Sequence, residues 1–384
     1  MLLASELLAR RHRVDLVVGQ AKGPLMTNLP PGIRLFELER SNPVSSRLVV
    51  LLADPGGLMA MLRPILLSPR LPDVMLYTAG LASYLRHQKP DAMVAATRLI
   101  NVVAVCAARL AGGSTRVVVS EHNPPSLALA GSRCWRRRYL PALMARTYRF
   151  ADAIVAVSRG VAADLVELTG LPPGRVKTIY NPVISEDITQ MARMPLSHPW
   201  FAPGQPPVIL GAGRLVDQKD FPTLIRAFAR LRRQRPARLV ILGAAKDDVA
   251  TDVARAALVQ SAALHGVSDD VVLPGFTSNP FAFMARAAAF VLSSRYEGLP
   301  TVLIEALACG CPVVSTDCPG GVHEILAGGR FGKLVPVGDE SAMAEAILWT
   351  LDRPPDPNRL IARAQLFSGA AAANAYLTTL FESC

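Results

Sequence analysis

The chain has 384 residues, of which 51% are hydrophobic and 18% charged, and its formal net charge is +11 at pH 7. This length is typical of two domains, and the apolar content is sufficient for two buried cores, which excludes a disordered chain. No apolar run reaches the roughly eighteen residues of a membrane-spanning helix, and the N-terminus lacks the layout of a signal peptide, so we expect a cytoplasmic protein.

The predicted elements begin with a helical pattern over residues 1–10. Short apolar runs then alternate with longer helical patterns, which predicts βαβ units, an α/β fold and a mostly parallel sheet. The strands predicted in the first half are Val14–Val18, Ala92–Ala95, Val117–Ser120, Ala153–Val157 and Val176–Ile179.

The positive charge lies mainly in this first half. Residues 1–187 contain 23 Lys or Arg and 13 Asp or Glu, whereas the remainder contains 18 and 17. The densest basic segment, 133–149, interleaves six arginines with apolar residues and predicts a basic amphipathic helix. Such a helix suits an anionic membrane surface or a diphosphate-bearing acceptor, with a solvated helix face as the alternative. Nucleic acid is disfavoured, because no nucleic-acid-binding module accompanies the segment.

A proline-rich segment of weak periodicity, 188–207, predicts a linker. The division predicts two Rossmann-like domains, 1–187 and 188–369, with the cleft between them as the default site. The strands predicted in the second domain are Val208–Ala212, Arg238–Leu242, Val271–Leu273, Ala289–Leu292, Val313–Ser315 and Lys333–Val335.

The first strand of the second domain runs into a glycine-bearing loop with two cations, Arg214 and Lys219. A guanidinium and an ammonium together can neutralise a diphosphate leaving group. An exposed loop with incidental charges is the alternative interpretation.

The most informative segment places two carboxylates, Glu297 and Glu305, on either side of a junction between a loop and a helix. Pro300 opens the predicted helix and Gly310 closes it. The N-terminus of such a helix offers unpaired N–H groups and a positive dipole to a diphosphate, and carboxylates can hold hydroxyl groups. The segment therefore fits a nucleotide-sugar, unless Glu297 only caps the helix and Glu305 is a solvated residue.

Residues 294–326 resemble the Glu-x7-Glu signature of the retaining family 4 glycosyltransferases. The resemblance includes Glu-Gly-Leu-Pro at 297–300, the second carboxylate at Glu305, and the continuation through 309–316 and 320–325. It implies the GT-B fold, in which two Rossmann-like domains face a central cleft. The N-terminal domain would bind the acceptor, the C-terminal domain would bind the donor, and residues 370–384 would cross back to the first domain.

The resemblance also implies roles for individual residues. Glu305 would accept hydrogen bonds from the ribose, Glu297 would grip the donor sugar, and Arg214 with Lys219 would contact the diphosphate. A lone histidine is usually structural, yet similar enzymes carry one at the strand end that faces the donor sugar. The further implied contacts are the amides of Gly298, Leu299 and Thr301, the nucleobase loop at Gly275 and Phe276, and His122 on the donor sugar.

The implied reaction transfers a sugar from a nucleotide-sugar to an acceptor hydroxyl, with retention at the anomeric carbon; a UDP-sugar is the favoured donor, and a GDP-sugar is the alternative. The acceptor would be a lipid-linked or polysaccharide glycan at the inner face of the plasma membrane. No cofactor is implied, and no metal, because the sequence contains no Asp-x-Asp pattern and the two cations would assist the leaving diphosphate.

The chain departs from the family at its beginning, because residues 1–10 have the pattern of the helix that follows the usual first strand and glycine-rich loop. We expect either a truncated chain or a reorganised sheet. Two other functions stay open. One is a sugar-nucleotide epimerase of similar fold, and the other is a catalytically impaired nucleotide-binding protein.

Overall fold

The computed structural model describes residues 1–22, 26, 29–130, 138–245 and 247–381. The chain forms two compact units, Met1–Pro182 with Ala370–Cys384 and Val183–Gly369. The described strands of both units pair in parallel, which confirms the predicted α/β class.

Two parallel sheets form within the described residues of the first unit. The strands are β1 Asp15–Val18, β2 Arg34–Glu37, β3 Ala92–Ala96, β4 Arg116–Glu121, β5 Ala153–Ala156 and β6 Val176–Thr178. One sheet pairs β1 with β2, and the other has the order β3-β4-β5-β6. The helices are α1 Leu2–Ala9, α2 Pro43–Ala53, α3 Leu58–Met61, α4 Thr78–Gln88, α5 Arg98–Ala111, α6 Pro125–Ala130, α7 Leu140–Tyr148 and α8 Arg159–Thr169.

Five of these six strands are predicted by the sequence, and β2 is not. In β2 only alternate residues are partly buried, because the strand lies at the edge of its two-stranded sheet. A four-residue strand that is half exposed carries little apolar signal. Helix α5 is buried on almost every side, since its apolar residues continue around the helix, and it lies at the centre of the main core of this unit.

The second unit contains a single six-stranded sheet among its described residues. The strands are β7 Val208–Ala212, β8 Arg238–Leu242, β9 Val271–Gly275, β10 Ala289–Leu292, β11 Val313–Thr316 and β12 Lys333–Val335. Their order is β12-β11-β10-β7-β8-β9. The helices are α9 Glu186–Arg193, α10 Phe221–Arg232, α11 Asp248–Leu264, α12 Pro280–Met284, α13 Thr301–Ala308, α14 Val322–Ile325, α15 Glu340–Asp352 and α16 Pro357–Ala364.

All six strands predicted for this unit are confirmed, and α13 begins directly after Pro300 as predicted. A linker is predicted over 188–207, but the first part of this segment forms α9 within the second unit. Ile188 on that helix is buried, and Asn279 of a neighbouring loop donates to the Met191 carbonyl oxygen at 2.9 Å. The amphipathic pattern of α9 is only two turns long, too short to stand out in the sequence.

The last helix, α17 Gly369–Phe381, packs within the first unit from Ala370 onwards. Tyr376 and Leu380 are buried against Val118, Val155 and Ile179. The side chain of Arg10, the residue that follows α1, donates to the Ala370 carbonyl oxygen at 3.2 Å. The first unit is therefore assembled from both ends of the chain.

Candidate functional site

The candidate site lies at the carboxyl ends of β7 and β10, where the strand order of the second sheet reverses. Strand β7 has β8 on one side and β10 on the other, so the loops that follow β7 and β10 leave the sheet side by side. In doubly wound sheets this switch point is the usual place for a ligand. The loop after β7 carries Arg214 and Lys219, and the loop after β10 carries Glu297.

Hydrogen bonds join these two loops into one structure. The Ser293 hydroxyl donates to the Lys219 carbonyl oxygen at 2.7 Å, and the Arg295 amide donates to the Gln218 carbonyl oxygen at 2.8 Å. The Gln218 side chain returns a bond of 2.8 Å to the Tyr296 carbonyl oxygen. The positions of the lysine and the carboxylate are therefore determined together.

Glu297 is buried, with 6% of its surface exposed, and its charge is compensated. Lys219 Nζ lies 2.6 Å from Oε1, and Ser294 Oγ donates to the same oxygen at 2.6 Å. Within the described residues no hydrogen bond reaches the other oxygen, Oε2. A buried carboxylate is tolerated when it is paired and hydrogen-bonded, and this arrangement leaves one oxygen for a ligand. Ser294 belongs to the recognised motif, yet sequence analysis assigns it no role.

Glu305 lies one turn into α13 and is half-buried. Burial raises the pKa of its carboxyl group to about 7, against the opposing effects of a hydrogen bond from Thr301 and the positive charge of Lys219. Lys219 therefore acts on both carboxylates of the Glu-x7-Glu pattern. The structure brings Lys219, Glu297 and Glu305 together, as the sequence predicts.

Helix α13 begins at the site without a side-chain cap. In the described part of the chain, the amides of Gly298, Leu299 and Thr301 donate no backbone hydrogen bond. Unpaired amides at the positive end of a helix dipole attract an anion. The Leu299 side chain is buried, so only its backbone is available to a ligand.

The backbones of the loops at the site pass close to one another, and the closest approach is at Gly320. Its φ is +120°, and a Cβ at this position would lie 1.6 Å from the Glu297 carbonyl oxygen. The Glu297 amide also donates to the Pro319 carbonyl oxygen at 3.0 Å. Only glycine fits where the loop after β11 passes over the loop that carries the carboxylate.

We therefore expect Gly320→Ala to lower the free energy of unfolding by about 3 kcal/mol or more, because both the clash and the positive φ are unfavourable. Urea unfolding measures this change. Gly204→Ala is the matched control, since its φ is +82° and no atom lies within 4 Å of the added Cβ. It should cost only about 1 kcal/mol. Equal losses in the two variants would contradict the close crossing.

The other predicted donor contacts lie on loops at the same edge of this sheet. The Arg214 side chain is exposed and forms no ion pair with any described residue. The Gly243 amide, after β8, donates to the Gly275 carbonyl oxygen at 2.8 Å, which links the ends of β8 and β9. Phe276 follows Gly275 and is 80% exposed. An exposed guanidinium and an exposed aromatic ring are both available to a ligand.

In the first unit, His122 follows β4 and is partly buried. Burial lowers the pKa of its imidazole, so the ring is neutral at pH 7. Its Nε2 lies 3.2 Å from Ser120 Oγ, and Ser120 Oγ lies 3.4 Å from the Tyr376 hydroxyl on α17. The orientation of the imidazole therefore depends on the helix contributed by the C-terminus.

A buried polar cluster beside His122 is missed by sequence analysis. Tyr148 donates a short hydrogen bond to Glu121 Oε1, and Asn101 Nδ2 donates to the same oxygen at 3.1 Å. Burial raises the pKa of the Glu121 carboxyl group to about 7. A carboxylate at the end of an otherwise apolar strand, next to a histidine, is the signal that could have revealed it.

The predicted basic helix is only partly described, because residues 131–137 lie outside the described residues. In the described part, Arg146 forms two bonds of 2.7 Å to the buried Asp54 carboxylate, and Leu143, Met144 and Tyr148 are buried. The Arg146 side chain therefore points towards a buried carboxylate and not away from the unit. Across the described residues, no three His, Cys, Asp or Glu side chains converge in a group that could hold a metal ion.

These sheets, with a lysine and two carboxylates at a switch point, define a doubly wound α/β protein whose candidate site suits an anionic ligand with hydroxyl groups. Two family models match the chain, glycosyltransferase family 4 over residues 1–187 and glycosyl transferases group 1 over residues 196–367. Together the two matches cover both halves of the chain, which belongs to the family 4-type glycosyltransferases, as its Glu-x7-Glu segment predicts.

Similar proteins agree with this assignment. An N-acetylgalactosaminyltransferase of Campylobacter jejuni, named for an undecaprenol-diphosphate-linked substrate, is 34% identical over 64% of this chain and 63% of its own length. A lipopolysaccharide core biosynthesis glycosyltransferase of Rhizobium meliloti is 32% identical over 52% of this chain and 54% of its own length. The chain thus aligns with less than two thirds of the length of either relative.

Solved structures show the GT-B fold. A glycosyltransferase of Rickettsia africae has a TM-score of 0.73 at 16% identity and covers 100% of this chain and 94% of its own. Anabaena HepE in complex with UDP has a TM-score of 0.72 at 20% identity, with 99% and 94% covered. At these identities the likeness concerns the fold alone.

Proposed function

We propose that this chain transfers a sugar from a nucleoside diphosphate sugar to an acceptor hydroxyl, with retention of anomeric configuration. The observation that carries the proposal is the pairing of Lys219 with Glu297 beside the uncapped start of α13. This arrangement supplies a cation for a diphosphate, helix amides for its oxygens and a carboxylate for sugar hydroxyls.

The donor would lie across the switch point. Glu305 accepts hydrogen bonds from the ribose hydroxyls, and Oε2 of Glu297 accepts one from the sugar. Arg214 approaches the diphosphate from solvent, where its unpaired guanidinium can bind two oxygens at once. Gly275 and Phe276 would then contact the base.

His122 would face the donor sugar from the first domain, as the family resemblance implies. A neutral imidazole can donate one hydrogen bond to a sugar oxygen and accept another. Domain 1–187 would bind the acceptor, and domain 188–369 would bind the donor. His122 and Glu297 are the two residues to which we assign direct contact with the reacting sugar.

A lipid-linked or polysaccharide glycan is the proposed acceptor, and UDP the proposed carrier. The Campylobacter relative is named for a substrate on undecaprenol diphosphate, and the Rhizobium relative for lipopolysaccharide core synthesis. Anabaena HepE has been solved with UDP and with UDP-glucose. With a lipid-linked acceptor, the proposed transfer would take place at the inner face of the plasma membrane.

Neither a metal nor another cofactor is required in this proposal, because Lys219 and Arg214 supply the positive charge at the leaving diphosphate. We expect turnover to be unchanged within about twofold after treatment with EDTA, given that no step depends on a divalent cation. Complete loss on chelation, restored by Mg²⁺ or Mn²⁺, would contradict this.

A panel of UDP- and GDP-sugars, with and without a polyprenyl-diphosphate-sugar acceptor, tests the function. We expect release of UDP that depends on the acceptor, together with a product of retained configuration by NMR. Conversion of the nucleotide-sugar without UDP release would indicate an epimerase instead. Calorimetric UDP binding with no turnover for any pair would indicate a nucleotide-binding protein.

The raised pKa of Glu305 predicts a pH dependence of UDP binding. Below about pH 7 the carboxyl group is protonated and is a poorer acceptor for ribose hydroxyls. Between pH 8 and pH 6, wild-type affinity should therefore fall about tenfold more than that of Glu305→Gln. Calorimetry on both proteins measures the difference. The variant is the control, because any pH dependence of its UDP binding includes the titration of the nucleotide's own phosphates but not that of Glu305. Parallel pH profiles would remove Glu305 from the ribose contact.

A further inference from the structure

An apolar surface on the first unit has no partner among the described residues. On α2, Val44 is 76% exposed, Leu48 56% and Leu52 59%, at the four-residue spacing of one helix face. On the opposite face, Val50 and Ala53 are buried in the core. A helix that is apolar on both sides needs a second apolar environment for its outer side.

The surface continues beyond the end of α2. The helical segment Pro55–Leu66 leaves α2 at an angle of 104° and adds Met59, which is 82% exposed, along with Leu58 and, after its end, Leu67. We call the exposed side chains together the α2–α3 face; its members are Val44, Leu48, Leu52, Leu58, Met59 and Leu67.

This face can lie on a membrane but is not built to cross one. No single helix in the described residues is long and apolar enough to span a bilayer, and α2 with Pro55–Leu66 meets that criterion only as a bent pair. The inner sides of both segments, including Val50, Met61 and Ile65, belong to the main core. Spanning would require those side chains to leave it.

The charge around the face is positive. Residues 39–73 contain four arginines and three carboxylates, Glu39, Asp54 and Asp73; Arg146 pairs with Asp54, and Arg40 pairs with Asp73 at 3.1 Å. Arg47 donates to backbone carbonyl oxygens, and Arg63 donates to the Tyr139 hydroxyl at 2.6 Å, so both bind neutral groups and keep their charge. Beside the face, a groove of about 530 Å³ is lined in part by Arg40, Arg47 and Arg70, and also by Asp73.

We propose that the α2–α3 face inserts into the headgroup region of a bilayer containing anionic phospholipids, with Arg47, Arg63 and Arg70 at the level of the phosphates. The combination of exposed apolar side chains and a positive rim is what an interfacial membrane surface requires. This surface differs from the basic segment 133–149 that the sequence suggests, where Arg146 is turned inward.

Helix α11 also has an exposed apolar surface, but the charges around it are negative. Val249 and Val253 on α11 are 75% and 68% exposed and share the four-residue spacing. They are accompanied by three carboxylates, Asp247, Asp248 and Asp252, which an anionic membrane repels. The α11 surface therefore provides a control of equal exposure and opposite charge.

The test is flotation of the full chain with vesicles of phosphatidylcholine alone or with about one third phosphatidylglycerol. We expect binding to the anionic vesicles, weaker binding in high salt, and at least tenfold weaker partitioning for Leu48→Asp combined with Leu52→Asp. Val249→Asp combined with Val253→Asp should bind as wild type does. Thermal melting of both variants, at wild-type midpoints, shows that the replaced side chains do not support the fold.

Three outcomes would overturn the proposal. One is no binding of the wild-type chain to either vesicle. Another is equal binding by the Leu48 and Leu52 variant. The last is a wild-type dimer in sedimentation that becomes a monomer in that variant, which would assign the face to a second copy of the chain. Vesicle binding needs no substrate, so these results are independent of the proposed sugar transfer.

Discussion

Lys219→Met should lower kcat/KM for sugar transfer by about 10²- to 10³-fold, the largest effect expected for any single replacement in this protein. The lysine pairs with Glu297 at 2.6 Å and also acts on Glu305, so its loss removes the charge that would stabilise the leaving diphosphate. Steady-state kinetics with the preferred donor measure the change. Lys333→Met is the control, because Lys333 lies in the same unit but its ammonium group contacts the Trp349 ring instead of the site carboxylates.

The same replacement should also destabilise the fold, by about 3 kcal/mol, because it leaves the buried carboxylate of Glu297 without its cation. The double variant Lys219→Met with Glu297→Gln separates the two effects. Stability should largely return in the double variant, since no unpaired buried charge remains, while activity should not. Activity of the double variant equal to that of Glu297→Gln alone would mean that Lys219 serves the fold alone.

Glu297→Gln is expected to lower kcat by about 10²-fold and to leave the UDP dissociation constant within about twofold. Glutamine keeps an acceptor for Ser294 but loses the negative charge of the carboxylate, whose other oxygen is the proposed sugar contact. Single-turnover transfer and UDP calorimetry measure the two quantities separately. Glu345→Gln, an exposed change on α15, should alter neither.

Glu305→Gln should show the reverse pattern, with weaker UDP binding and a smaller effect on kcat. The division follows from the proposed roles, in which Glu297 would contact the sugar and Glu305 the ribose. Unchanged kcat in Glu297→Gln would falsify its assignment to the reacting sugar, even if UDP binding behaved as expected.

Much of the second unit could be predicted from the sequence because its signals are local. Buried parallel strands are continuous apolar runs, which is why β7, β8, β10 and β12 begin and end at the predicted residues. Helix α13 is likewise set by a proline before its first turn and by Gly310, with φ of +71°, after its last. Both signals depend only on neighbours in the chain.

The elements that were missed have weak local signals. Strand β2 is short, half exposed and at a sheet edge, and α9 is short and polar on its outer side. The outer face of α2 is a different case, because an apolar helix normally indicates burial. Only the packing of Val50 and Ala53 shows which side of that helix faces the core and which side does not.

By itself the sequence determined the α/β class, the family and the identity of the charged residues at the site. Tertiary structure alone decided that Lys219 and Ser294 share one oxygen of Glu297, that Arg146 points inward to Asp54, and that Tyr376 returns from the C-terminus to Ser120. The physical reason is distance along the chain. Backbone conformation and burial follow from adjacent residues, whereas contacts between residues 78, 92 or 256 positions apart depend on how strands are ordered and how loops cross at glycines such as Gly320.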